Sequence, residues 1–268
     1  MKLVNLGCGH RFHPAWSNFD FVPAAPGVAQ ADLRKGIPLA DASSDVVYHS
    51  HVLEHFSRAG GASFLLECHR VLKPGGVLRI AVPDLEAIVR SYLASVDKLR
   101  DERTNDRERC HQWLIAEMID QCARHSSGGV CAMLARAWPE SDRGFLIDRW
   151  GGEAKRIFSA PEDAASTDAV LTLRHIIRRV RDMCLRFVTG VSRDAIDVGV
   201  FRLSGEPHLW MYDDFSLAAT LEQVGFEHAQ RMTARTSAVP DWETFGLDTD
   251  TDGAVYKPDS LFMEALKP

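Results

Sequence analysis

Lys2-Leu3-Val4-Asn5-Leu6-Gly7-Cys8-Gly9 is the stretch that decides the fold. A short apolar run that ends abruptly in Gly-x-Gly has the pattern of a buried strand followed by a sharp turn. Glycine suits that turn because it adopts positive φ without strain and lets a ligand approach the backbone. The dinucleotide fingerprint needs a third glycine three residues after the second, and Phe12 stands there. It also wants an acid about 20 residues further on, whereas the first acid after the turn is Asp20, directly behind Trp16-Ser17-Asn18-Phe19. A nicotinamide-dependent oxidoreductase is therefore excluded. What remains is a strand, a glycine turn and a second short strand carrying an acid.

Outward from this stretch, strands are expected over 17–22, 28–32, 45–51 and 77–82. The link 10–16 contains Pro14 and is too short for more than a turn of helix. Phe64, Leu65, Cys68, Val71 and Leu72 recur at helical spacing, so a helix is expected over 62–72, stopped by Lys73-Pro74-Gly75-Gly76. This alternation predicts a doubly wound α/β sheet. Strand signals nearly vanish between 85 and 200, which reads as a largely helical insertion broken at 126–129 and at Gly151-Gly152. Its best-formed apolar face is Leu173, Ile176, Ile177, Val180, Cys184 and Phe187 within 169–188. Asp213-Asp214 caps a helix over 215–224, followed by strands over 226–233 and 261–266. The expected division is a core of 1–84 and 201–268 around an insertion of 85–200.

Composition narrows the function. With 31 basic and 37 acidic residues the formal charge is −6, which gives no electrostatic case for nucleic acid or a membrane surface. No apolar run approaches the roughly 20 residues of a membrane span, and the apolar run at the N-terminus is too short for a signal peptide. The 6 cysteines include no Cys-x-x-Cys, so reduced thiols in a cytoplasm are expected rather than disulfides or a zinc cluster. The expected partner is a small-molecule acceptor, and a homo-oligomer is compatible with the chain.

Six short segments occur together in one order: Val4-Asn5-Leu6-Gly7-Cys8-Gly9, Trp16-x-Asn18-x-Asp20, Ala31-Asp32-Leu33, Leu39-x-Asp41-x-x-x-Asp45, His51-Val52-Leu53-Glu54-His55, and Glu67-Cys68-x-Arg70-Val71-Leu72-Lys73-Pro74-Gly75-Gly76. In this order and spacing the chain resembles the class I S-adenosylmethionine-dependent methyltransferases of the methyltransferase type 11 kind, well over its first 83 residues and moderately over 205–268. The resemblance implies a Rossmann-like seven-stranded sheet, five parallel strands completed by a C-terminal antiparallel hairpin. It implies S-adenosyl-L-methionine as cofactor and S-adenosyl-L-homocysteine as product. Asn5, Gly7, Cys8 and Gly9 would lie under the methionine moiety and Asp20 would hold the ribose hydroxyls. Asp32 and Leu33 would meet the adenine, and Ser50 and His51 would border the methyl group. Most members of the class carry helices ahead of the first strand that cover the cofactor. None precedes Leu3, so 85–200 is expected to act as the lid.

Methyl transfer to a hydroxyl requires an aligned oxygen and a group to take its proton. Histidine suits that task. His51 is the first candidate because the fold fixes its place, His55 follows one helical turn on, and His208 is a third. The spacing of His51, Glu54 and His55 also fits metal ligands, but hydrogen bonds from Glu54 and His55 to a neighbouring loop are the expected role, and no metal is expected. In Gly205-Glu206-Pro207-His208-Leu209-Trp210-Met211-Tyr212-Asp213, His208, Trp210 and Tyr212 are substrate-side candidates, with a core position for Trp210 as the alternative. Asp41 and Asp45 read as turn and strand-edge residues, and Glu67, Arg70 and Lys73 as a solvated helix face. Arg174, Arg178, Arg179, Arg181 and Arg186 form either a solvated face or a contact to a phosphate-bearing substrate. The overall expectation is methyl transfer to oxygen, less so nitrogen, of a small polar acceptor such as a sugar, glycan or secondary metabolite. The alternative is a non-catalytic cofactor-binding or scaffold module that acts as a partner in a biosynthetic assembly.

Overall fold

The computed structural model describes residues 1–159 and 190–268. The expected helix over 169–188 and its arginines lie outside the described residues.

Among the described residues seven strands form one sheet: β1 (Leu3–Leu6), β2 (Ser17–Asp20), β3 (Val28–Gln30), β4 (Ser44–Ser50), β5 (Leu72–Pro83), β6 (Glu227–Met232) and β7 (Ser260–Leu266). Their order is β3-β2-β1-β4-β5-β7-β6. The first five run parallel, and β7 is antiparallel to both β5 and β6. The strand order reverses between β1 and β4, and in an open α/β sheet the carboxyl ends at such a switch point are where ligands bind. The Gly7–Gly9 turn and His51 emerge at those two ends.

Alternation along the central strands divides the core. Val4, Leu6, Val47, Leu78 and Ile80 pack on one face with Phe64, Leu65 and Cys68 of α1 (Arg58–Val71) and with Leu217 and Leu221 of the helix Asp214–Gln223. Leu3, Val46 and Tyr48 face the other way, onto Trp16, Val239, Trp242 and Leu247. Trp16, Tyr48, Trp242 and Phe245 meet edge to face, with centroids 5.2–6.4 Å apart. On this face the sheet is therefore covered by the segment around 233–250, whose Trp242 and Phe245 lie on a single 3-10 turn, rather than by an α-helix.

The first helix begins four residues earlier than expected, because Ser57 caps it by accepting from the Gly60 amide at 3.2 Å. Its charged flank is not simply solvated. Arg70 donates to Glu67 and Asp41 and to the carbonyls of Ile37 and Leu39, and Glu67 accepts from the Ile37 amide at 2.9 Å. The helix therefore pins the loop that leads into β4. The third strand stops at Gln30, short of Asp32, which caps a 3-10 turn instead. The Asp213 cap is as expected, with Ser216 completing a capping box.

The insertion leaves β5 directly. Asp84 caps α2 (Leu85–Asp101), followed by α3 (Asn105–Ala123), α4 (Gly129–Arg136) and α5 (Arg143–Ser159). The last three share a core of Trp113, Cys131, Trp138 and Leu146. The helical run breaks at Gly151-Gly152 as expected: Gly151 is non-helical, with φ 51°, so α5 is two helices meeting at a kink. The bend lets the Gly152 amide donate to the Tyr256 carbonyl at 2.8 Å. A Cβ on Gly151 would stand 2.4 Å from that oxygen. Two glycines thus dock the insertion against the segment that enters β7.

Candidate active site

The glycine turn is built from below by paired amides. Asn5 donates to the Arg11 carbonyl at 3.1 Å and to Asn18 Oδ1 at 3.2 Å, and Asn18 donates to the carbonyls of His13 and Trp16. Gly7 and Gly9 both take positive φ, 63° and 51°. A Cβ on Gly7 would stand 2.4 Å from Val52 Cγ2, so side chains are excluded there by contact as well as by conformation. A Cβ on Gly9 would meet nothing within 4 Å, which leaves open space above the turn. The Asp20 carboxylate accepts from the Gly9 amide at 2.7 Å and from the Val22 amide at 2.9 Å. These two bonds hold the acid against the turn and leave lone pairs on both oxygens.

Asn5, Gly7, Cys8, Gly9, Ser50 and His51 line one cavity of about 210 Å³. Burial and the nearby Asp20 charge push the Cys8 thiol up to about 11, so it stands there as a neutral thiol. Asp20, Asp32 and Leu33 are not among the lining residues, although Asp20 is bonded to the amide of Gly9, which is. Arg34 grips Asp32 with two donors, at 2.8 and 3.1 Å, and holds its carboxyl below the usual range. The same cavity gains Arg11, Glu153, Arg156, Tyr256 and Lys257. Arg11 lies 4.2 Å over the Tyr256 ring, pairs with Asp250 at 3.0 Å and donates to the Thr249 carbonyl. Arg11 follows the glycine turn itself, but Glu153 and Arg156 come from the kinked α5 and Tyr256 and Lys257 from the approach to β7, and no local pattern around the turn announces these four.

A second cavity, of about 500 Å³, adjoins the first through His51, Glu153, Arg156 and Lys257, which line both. His55, His208 and Asp259 line it from the sheet side, and Glu117, Gln121, Arg124 and Trp150 from the insertion. Burial pushes the Asp259 carboxyl up. Glu117 is held by Arg149 through two bonds, at 2.6 and 3.0 Å, and by the Trp150 indole at 3.2 Å.

His51 joins the two cavities. Its backbone is left-handed, φ 54°, at the carboxyl end of β4, and its amide donates to the Ala81 carbonyl at 2.8 Å. Such a conformation is strained for a residue with a Cβ and marks places where structure serves a site. Its Nδ1 lies 3.2 Å from Glu54 Oε1 and its Nε2 2.8 Å from Ser260 Oγ. Glu54 is fully buried. Burial pushes its carboxyl up, but His51, His55 and His208 around it outweigh that and bring it below the usual range. His55 faces the Pro207 carbonyl, its ring edge-on to His208 with centroids 4.9 Å apart. Burial drives the His208 imidazole down to about 3, against the pull of Glu54.

Of the expected substrate-side residues, only His208 reaches the second cavity. Tyr212 is 1% exposed and belongs to the main core, because its backbone bridges Asp84 and its carbonyl accepts from the Leu85 amide. Trp210 is neither a cavity wall nor a core residue. It is 39% exposed, with Arg58 5.5 Å over its ring.

Residues 14–80 match the family model described as a methyltransferase domain. A probable S-adenosylmethionine-dependent methyltransferase of Mycolicibacterium smegmatis is 44% identical over 59 residues, 20% of this chain and 22% of that protein. The chain thus spans about a fifth of the curated relative it matches. A solved S-adenosylmethionine-dependent methyltransferase from Thermotoga maritima aligns over 100% of this chain and 82% of its own, at 10% identity and a TM-score of 0.39. One from Archaeoglobus fulgidus aligns over 99% and 86%, at 11% identity and 0.39. Over these stretches the chain is similar to methyltransferase domains of the S-adenosylmethionine-dependent class, whose cofactor is S-adenosylmethionine.

The residues at the glycine turn fit this cofactor. The open face above Gly9 leaves room for the methionine part, and Asp20, with free lone pairs beside it, suits a vicinal diol. Arg11 and Lys257 bring positive charge to the same cavity, where a carboxylate would be received.

Proposed function

We propose that this protein transfers a methyl group from S-adenosylmethionine to an oxygen of a small polar acceptor, with His51 as the base. The observation that carries the reading is His51 itself, strained in its backbone and lining both cavities at once. The acceptor belongs in the larger cavity, whose walls mix Arg124, Arg156 and Lys257 with Glu117, Glu206 and Asp259. Charges of both signs with intervening amides suit a polyhydroxylated molecule of the sugar or glycan kind better than an apolar one. The insertion serves as the lid, with α3 and α5 forming the outer wall of that cavity.

When bound, the cofactor supplies a methyl group on a sulfonium sulfur that departs as a neutral thioether. The chain's own task is alignment and proton removal. With its proton on Nδ1, the ring atom 3.2 Å from Glu54, His51 presents Nε2 to an acceptor hydroxyl in place of Ser260. The proton of the hydroxyl moves to Nε2 as the new bond to the methyl group forms and the bond to sulfur breaks.

The test is a thermal-shift titration with S-adenosylhomocysteine, S-adenosylmethionine and NAD in parallel. At about 100 times its dissociation constant a ligand of the native state adds about 2.7 kcal/mol, so the two sulfur compounds are expected to raise the midpoint and NAD is not. Asp20→Ala removes two charge-assisted bonds to the ribose, together about 2–4 kcal/mol, which weakens binding roughly 30- to 1000-fold. An Asp20→Ala protein that binds S-adenosylhomocysteine as the native chain does would refute the site.

A further inference from the structure

We propose that Glu54, His55 and His208 form a binding site for one divalent transition-metal ion in the wall of the larger cavity. One donor atom from each lies within 4.8 Å of the other two, with His208 Nε2 3.9 Å from Glu54 Oε1. Ligand bonds of about 2.0–2.2 Å bring neighbouring donors somewhat closer than this, which small rotations of the two rings supply.

A separate observation points to a ligand. Glu54 is completely buried, and neither of its carboxylate oxygens has a hydrogen-bond partner among the described residues. His51 Nδ1 stands at ion-pair distance from Oε1 without making a hydrogen bond. A carboxylate without hydrogen bonds is costly to bury, and a cation is what most directly satisfies it.

The histidines are prepared for the role. A carbonyl oxygen only accepts, so the contact of His55 Nδ1 with the Pro207 carbonyl at 3.3 Å places the proton on Nδ1 and leaves the Nε2 lone pair free. Metal-bound histidines are oriented in this way by the group on their other nitrogen. His208 is fixed to Glu54 through the backbone, although the two are far apart in sequence. The amides of Leu209 and Trp210 both donate to the Glu54 carbonyl, at 2.7 and 3.3 Å, and the His208 amide donates to the Gln121 carbonyl at 3.0 Å. The sequence spacing suggested His51, Glu54 and His55 as a ligand set, and the fold replaces His51 with His208.

Two imidazoles and one carboxylate suit zinc, iron, cobalt or nickel rather than magnesium or calcium, which prefer all-oxygen shells. His55 and His208 both line the larger cavity, so the remaining coordination positions open toward whatever occupies it. The site does not depend on the acceptor being a hydroxyl.

Cobalt titration of the chelator-stripped chain tests this. One equivalent per chain is expected to bind, with visible ligand-field bands of a low-coordinate nitrogen–oxygen site and no thiolate charge-transfer band, and zinc is expected to displace it. His208→Ala and His55→Ala are each expected to weaken binding at least tenfold, while His125→Ala leaves it unchanged. Glu54→Gln keeps the shape of the side chain and is expected to abolish binding. Circular dichroism of the metal-free variants separates lost ligands from lost fold. A native chain that binds no cobalt, or a folded His208→Ala chain that binds as tightly as the native one, would overturn the site.

Discussion

Arg79→Met is expected to destabilise the fold by about 3–5 kcal/mol, the range for a buried ion pair broken on one side. Arg79 has no exposed surface, lies in the middle of β5 and faces the aromatic side of the sheet. Its guanidinium donates to Asp248 at 2.8 and 3.0 Å, to Glu264 at 2.8 Å, and to the carbonyls of Thr233 and Thr236 at 2.8 and 2.9 Å. Trp242 lies across it at 4.2 Å. Methionine replaces much of the volume, so the loss measures the two acids and two carbonyls deprived of the guanidinium rather than a cavity; Asp248 keeps only its bond from Tyr48, and Glu264 those from Ser237 and the Ala238 amide. Arg79→Lys keeps the charge but not the planar fork, and is expected to recover only part of the loss. Urea unfolding followed by circular dichroism reads both. A loss below about 1 kcal/mol for Arg79→Met would mean that water reaches the two acids, against their burial.

The same network reaches the site. Tyr48 donates to Asp248 at 2.6 Å and lines the cavity of the glycine turn, as does Leu247 next to Asp248. Arg79 therefore sets the position of the 247–250 segment, whose Thr249 carbonyl and Asp250 carboxylate hold Arg11 over the cavity. Stability on one face of the sheet and the shape of the cavity at its edge are one arrangement. A destabilised Arg79 variant is accordingly expected to lose cofactor affinity before it loses its sheet.

How much of this was legible beforehand follows from the range over which each feature is determined. Gly7 and Gly9 were readable because a turn at a strand end imposes its φ values locally, and the parallel strands were readable from runs such as Val77 to Val82. The Asp213 cap is equally local. The role expected for Asp32 met Arg34 two residues on, a pair that the sequence displays but whose geometry only the 3-10 turn creates. Tyr212 resembled a pocket residue because aromatics beside a capped helix often are. Its burial follows from the bridge to Asp84, made across the long insertion. Arg11, Arg156 and Tyr256 meet because α5 bends at Gly151, and nothing in the glycine pair itself says which segment it will admit. The join between Glu54 and His208 likewise rests on backbone bonds between distant segments. What sequence order could not supply was long-range pairing.

His51→Asn is expected to lower kcat by about 10²–10⁴, the usual contribution of a general base. Asparagine is the informative replacement. It tolerates the left-handed backbone better than alanine does, so the φ of 54° adds little strain, and its amide can still face Ser260. It cannot take a proton. The fold and the thermal shift with S-adenosylhomocysteine are expected to survive, because Asp20, Gly9 and Arg11 are untouched. A loss of kcat with cofactor affinity kept therefore isolates proton removal from binding. The outcome also distinguishes the acceptor atom. A hydroxyl must lose its proton as the new bond forms, whereas a neutral amine can attack first and lose it to solvent afterwards. If His51→Asn turns over within about threefold of the native chain, the base assignment fails and nitrogen becomes the atom to test. A loss of 10² or more, restored in part at higher pH where hydroxide competes for the proton, fits oxygen and places His51 at the reacting centre.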